Sequence, residues 1–277
     1  MSLKVKFKDL KSISGWFSKH DFLVMRTILE LQNQLEYRGD ILEIGSYHGK
    51  SSVLLGSCLR SDEKIILCDI FENADEEKNK TENNHSYIDL HSDFLVSNLA
   101  KFGINNYELV IKNSSILNLS DFPQNIRFIH IDGSHLYEYV KHDLNLACEI
   151  ISKDYGVIAL DDFRSQHTIG VQIAIWQEVL ERKRTRPLII TPCKMYLVDE
   201  DFKLNLRDLQ NELRKQHIET EQIILEDFQF LRTIGLSDRD VFRNGLQKSD
   251  FVPPIAAGIF LRLRDLARRR FRSSRRP

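Results

Sequence analysis

Two stretches of the chain end a run of apolar residues in acid. FIHIDGSHLYEYVKHDL (128–144) delivers Asp132, and GVIALDDF (156–163) delivers the adjacent pair Asp161-Asp162. Carboxylates brought to one spot repel one another unless a cation neutralises them, and an all-oxygen set suits a hard divalent ion. The plain alternative has Asp161 or Asp162 capping a helix and Asp132 making a turn with Gly133. His135 lies three residues beyond Asp132, so its imidazole can face the same cavity. With an ordinary pKa near 6.5 it can take a proton from a substrate hydroxyl at neutral pH. His130, inside the strand, reads as a core or supporting residue, and Tyr137, Tyr139 and His142 read as packing or surface positions.

A second locus is ILEIGSYHGKSS (41–52). Gly45 and Gly49 let backbone approach a ligand closely, and a helix opening at Ser51 or Ser52 presents unpaired N–H groups to something polar. Counting tests two nucleotide-binding motifs. A P-loop needs four residues between its first glycine and Gly-Lys-Ser, and three are present; a dinucleotide fingerprint needs glycine where Tyr47 stands. Both fit poorly. Asp69, ending the strand KIILCD about 20 residues after the loop, is placed to accept both ribose hydroxyls of an adenosine.

The elements that must hold these residues follow from periodicity. Short apolar runs alternate with helical stretches, the pattern of a parallel α/β sheet. Strands are expected at 40–44, 64–69, 108–112, 126–131, 156–160, 188–191 and 195–198, with helices near 19–38, 49–60, 87–103, 135–152 and 167–184. The first five strands end at or near clusters of Gly, Asp, Asn or Ser, so chemistry belongs at their carboxyl ends. Residues 70–86 are polar and read as a mobile loop or lid. Beyond 200 the pattern turns helical and irregular, with a stop at Asn244-Gly245 and a break at Pro253-Pro254. This part is expected to pack on the sheet or on another subunit in a homo-oligomer. The chain thus divides into 1–200 and a helical extension, 201–277.

The loop at 43–49 resembles the Glu-x-Gly-x-x-x-Gly loop of class I S-adenosylmethionine-dependent methyltransferases. Over 128–163 the sequence is similar to the Asp-Gly-x-His-x-Tyr…Asp-Asp pattern of the macrocin and mycinamicin sugar O-methyltransferases, whose relatives include proteins labelled cephalosporin hydroxylase. The similarity runs from Gly15-Trp16-Phe17 through Gly170-Val171 and spans roughly 15–198; Tyr155-Gly156 stands where the family has Gly-Gly. The resemblance implies a Rossmann-like fold with a seven-stranded, mostly parallel sheet and helices on both faces. It implies S-adenosylmethionine held by Glu43, Gly45, Ser46, Tyr47, Gly49, Ser51, Ser52, Asp69, Ser114 and Asp132. Ser114 belongs to Asn113-Ser114-Ser115, which replaces the usual Gly-Asp-Ser near the adenine. It further implies Mg²⁺ or Mn²⁺ on Asp132, Asp161 and Asp162, with His135 as the base. The expected reaction is methyl transfer to a hydroxyl of a sugar or polyketide-like small molecule.

Composition bounds the rest. At 42% hydrophobic and 29% charged residues over 277 positions, the chain can bury a large core, which excludes disorder throughout. No apolar run approaches a membrane span, and the start MSLKVKFKDLKSISGWF lacks a signal-peptide core, so a cytoplasmic location is expected. Cys58, Cys68, Cys148 and Cys193 have no paired spacing and read as buried thiols. Residues 262–277 hold eight arginines and one aspartate, a net +7 that leaves −8 on the remainder of a chain totalling −1. Such a tail can touch an acidic partner, anionic lipid or nucleic acid, or simply be solvated. A non-catalytic nucleotide- or nucleic-acid-binding protein would explain the tail but not the aspartates, and the acidic body makes nucleic acid a poor partner. A metal-dependent hydrolase would explain the aspartates but leave Glu43, the glycine loop and Asp69 without a joint purpose.

Overall fold

A computed structural model describes residues 5–71, 90–164 and 167–234. The chain runs α1 (Lys19–Gln34), β1 (Ile41–Ile44), α2 (Lys50–Ser57), β2 (Ile65–Asp69), α3 (Ser92–Lys101), β3 (Tyr107–Ile111) and β4 (Phe128–Ile131). It continues through α4 (Tyr137–Ile150), β5 (Val157–Leu160), α5 (Ile169–Gln177), β6 (Thr185–Ile190), β7 (Met195–Asp199), α6 (Leu206–Lys215), β8 (Thr220–Leu225) and β9 (Phe228–Thr233). All strands among the described residues join one sheet in the order β3-β2-β1-β4-β5-β7-β6-β9-β8. The first five are parallel, β7 is antiparallel to both β5 and β6, and β9 is parallel to β6.

Every residue of β1 (ILEI), β4 (FIHI) and β5 (VIAL) is buried, as strands covered on both faces require. Alternate side chains feed two cores. Ile41, Phe128, Val157 and Tyr196 pack with α1, α2 and α3; Leu42, Ile44, Ile129, Ile158 and Leu197 pack with α4 and α5. The winding direction reverses between β1 and β4, which opens a crevice at their carboxyl ends. At the opposite end of these strands, Arg127 is fully buried. Its guanidinium forks onto Glu63 at 3.0 and 2.8 Å and also donates to Gln32 Oε1 at 3.0 Å and to the carbonyls of Gly39 and Cys58 at 3.1 Å. This pins the base of β4 to the segments flanking β1 and α2.

The expected α/β class is observed, with two corrections. Among the described residues the sheet has nine strands rather than seven, and residues 201–234 are not simply helical: α6 is followed by the antiparallel hairpin β8–β9, which extends the sheet along β6. The hairpin turns at Glu226-Asp227, with Glu226 at φ +50°, a left-handed conformation that short hairpins usually give to Gly or Asn. Strand β6 also starts earlier than expected, with Pro187 tolerated where the register with β7 shifts. The proposed lid falls almost wholly on residues outside those described, as do Asn244-Gly245, Pro253-Pro254 and the arginine tail. The four cysteines are free thiols, three buried and Cys193 half-buried. No described helix is long and apolar enough to cross a membrane.

Candidate active site

The glycine loop leaves β1 at Ile44 and enters α2 at Lys50. Gly45 has φ +89°, and a Cβ there would lie 2.0 Å from the Asp132 carbonyl oxygen. Glycine is required because the two loops following β1 and β4 touch backbone to backbone, a different reason from close approach to a ligand. Gly49, at φ +84°, caps α2, and a Cβ there would come within 2.5 Å of Leu95. Asp69 closes the loop from β2: its Oδ2 accepts the Tyr47 N–H at 2.8 Å and its Oδ1 accepts the Ile70 N–H at 2.7 Å. Burial pushes the Asp69 carboxyl up, and these N–H groups oppose the shift. The N–H groups of Ser46 and Phe71 also act on this carboxylate, so ribose hydroxyls seated here would share its oxygens with the loop backbone.

The other loop residues separate by position. Glu43 and Ser52 are fully buried and face each other behind the loop, the Ser52 hydroxyl donating to Glu43 Oε2. Ser46 is buried on the loop itself, and its Oγ has no hydrogen-bond partner among the described residues. An orphaned hydroxyl beside Asp69 fits a polar ligand seated there. Tyr47 stacks between Trp16, 6.0 Å away, and His48, 3.9 Å away, while Ser51 is buried in the first turn of α2. Ser114 lies on a short 3₁₀ turn after β3 and is buried near Asp143 of α4. Burial pushes the Asp143 carboxyl up, against the pull of His142 and the Ser114 hydroxyl.

At the carboxyl ends of β4 and β5 the three expected aspartates take different partners. Asp161 Oδ2 is 2.5 Å from Nζ of Lys194, a fully buried side chain absent from the sequence reading. Lys194 Nζ is also 2.9 Å from His130 Nε2, and His130 Nδ1 is 2.8 Å from Glu43 Oε1. A continuous buried chain therefore runs Ser52, Glu43, His130, Lys194, Asp161. An ammonium donating to Nε2 leaves the imidazole proton on Nδ1, donated to Glu43, and both burial and Lys194 hold His130 neutral. Burial works against the charge on Lys194, but Asp161, Asp132 and Asp21 more than offset it. Burial likewise pushes Asp161 up, yet the charge and hydrogen bond of Lys194, helped by the Asp162 N–H, bring it below the usual carboxylate range. Asp132 stands well above that range through burial and the neighbouring charge of Asp161.

Asp162 borders this cluster, and its charge helps to raise Asp132. Its backbone is left-handed at φ +56°, its carbonyl accepts the Thr168 hydroxyl at 2.8 Å, and its Oδ2 is 2.8 Å from His135 Nε2. All three expected carboxylates lie at this edge: Asp132 and Asp161 form the tighter pair, and Asp162, whose charge also acts on Asp132, pairs with the histidine. Ligand atoms of His130, Asp132 and Asp161 lie within 4.8 Å of one another, but both His130 nitrogens are already engaged. Two hard oxygen donors at one edge fit Mg²⁺ in chemical type, although one of them is shared with an ammonium.

Residues 42–163 match the model of a family described as a methyltransferase domain. No curated protein matches the chain. Among solved structures the chain is similar to the O-methyltransferase NovP, with 15% identity and a TM-score of 0.57 over 65% of this chain and 80% of that one. It is also similar to the calicheamicin methyltransferase CalS11, with 17% identity and a TM-score of 0.50 over 65% of this chain and 79% of that one. At these identities the structural likeness establishes the fold, which is the one the matched segment builds around its glycine loop and aspartate-tipped strands. Residues 42–163 are thus similar to methyltransferase domains, and the chain has the fold of solved O-methyltransferases.

Proposed function

We propose that the protein is an O-methyltransferase that moves a methyl group from S-adenosylmethionine to a hydroxyl of a sugar or natural-product acceptor, with Mg²⁺ at the acceptor side. The observation that carries this reading is the His135–Asp162 pair, 2.8 Å across, on the same sheet edge as Asp132, Asp161 and the glycine loop. Methyl transfer is an in-line displacement, so the protein must align donor and acceptor and make the acceptor oxygen nucleophilic. When bound, S-adenosylmethionine supplies the electrophilic methyl and Mg²⁺ would lower the pKa of the acceptor hydroxyl. Gly45, Ser46, Tyr47, Gly49 and Ser51 would line the donor, Asp69 would take its ribose hydroxyls, and Ser114 would lie toward its adenine. Asp132, Asp161 and Asp162 are the residues that would hold the ion, with Asp132 also bordering the donor. Glu43 and Ser52 would support the loop from behind.

His135 takes the acceptor proton in this reading. With Nε2 donating to the Asp162 carboxylate, the lone pair sits on Nδ1, and a histidine so oriented is the better base. The strained left-handed backbone at Asp162 is a fit place for such a device. Four unpaired thiols accord with a reducing compartment such as the cytoplasm. Calorimetry with S-adenosylhomocysteine, followed by labelled methyl transfer to a panel of hydroxylated sugars with and without chelator, tests the assignment. Micromolar binding and chelator-sensitive transfer support it; absence of binding removes it.

A further inference from the structure

We propose that Lys194 is the resident counter-cation of the carboxylate site, and that a divalent ion engaging Asp132 and Asp161 must compete with its ammonium. The inference rests on the metal reading above, and its test separates the two. Lys194 Nζ sits 2.5 Å from Asp161 Oδ2, and its side chain is 1% exposed. The ammonium cannot swing into water to make room. It is fixed by His130 at 2.9 Å, which is itself fixed by Glu43, and the ring of Phe17 lies 5.8 Å from it.

The backbone beneath it is anchored as firmly. Lys194 follows the tight turn from β6 into β7, where its N–H donates to Thr191 Oγ1 at 2.9 Å and the Thr191 hydroxyl donates to Asp21 at 2.6 Å. Asp21 also pairs with Ser18, the cap of α1. A cation held this way neutralises Asp161 permanently. An incoming divalent ion would share that carboxylate with a positive charge that has nowhere to go, so Lys194 sets metal affinity low. His130 cannot compensate as a ligand, because its Nε2 already accepts from Lys194 and its Nδ1 donates to Glu43.

Mn²⁺ binding to the full chain, read by electron paramagnetic resonance of the free ion, tests this without turnover. Lys194→Met is expected to bind Mn²⁺ about tenfold tighter or more than the unmodified protein, and Lys194→Arg to stay weak. Equal or weaker affinity in Lys194→Met overturns the competition while leaving the metal reading in place. No Mn²⁺ binding in either protein overturns both. If Lys194→Met does not fold, the unmodified protein decides. With ¹⁵N at lysine Nζ, the Lys194 resonance must shift as Mg²⁺ saturates the site; a resonance unmoved at saturation overturns the proposal.

Discussion

In the proposed reaction, pairing with Asp162 fixes which nitrogen of His135 takes the proton, and the two residues should therefore fail together. His135→Ala is expected to slow the chemical step by about 10²- to 10⁴-fold, with cofactor affinity nearly intact. Asp162→Asn should slow it less and leave His135 present but misdirected. Single-turnover rates across pH check both: the His135→Ala deficit should shrink as pH rises, and rescue by excess Mg²⁺ alone at neutral pH would make the histidine a support for Asp132 instead. Asp69→Ala should weaken binding of S-adenosylhomocysteine in calorimetry and also loosen the loop, since the carboxylate accepts the Tyr47 N–H. Asp143 makes a different prediction. Its folded-state pKa is raised by burial, so the native state binds the extra proton and this stability is lost as pH climbs from the unfolded value through the folded one. Asp143→Asn should raise the melting temperature at pH 7–8, with the gain vanishing below about pH 4.

Elements transmit these requirements through a few backbone and buried-charge contacts. Gly45→Ala places a methyl against the carbonyl of Asp132 and forces a left-handed backbone, so it should cost well over about 1–3 kcal/mol and appear first as a lower unfolding midpoint. A variant with wild-type stability but no cofactor binding would instead put the glycine at the ligand. At the other end of the sheet, Arg127→Met strands Glu63 in the interior and should cost about 3–5 kcal/mol in denaturant unfolding. Strands β1, β4 and β5 were legible in the sequence because strands buried on both faces read as short, mostly apolar runs tipped by Gly or Asp, with Glu43 and His130 the only polar interruptions. The hairpin β8–β9 was not, because Glu226-Asp227 lacks the residues that usually mark such a turn and β8 is half exposed. His135 and the aspartates could be read from type and spacing. Their pairing could not, since it depends on Lys194, whose partners come from other strands and which reads locally as an ordinary lysine in a turn.

Across the whole molecule, the site lies at the β1/β4 reversal while the last hairpin hangs on the far side of β6. A chain cut at residue 200 would bare β6, with Leu188 and Ile189 buried in the intact sheet, as an unpaired apolar edge. Such a fragment is expected to self-associate in light scattering at concentrations where the full chain does not; a monodisperse fragment would show that the sheet can end at β6. The buried chain from Ser52 to Asp161 has a consequence for synthesis on the ribosome. All of the glycine loop and all three aspartates have been translated by residue 163, yet Glu43, His130 and Asp161 acquire their balancing ammonium only when residue 194 has been made. A nascent chain stalled between those two points should remain open to protease across β1 and β4, and become protected only after the β6–β7 turn has cleared the exit tunnel.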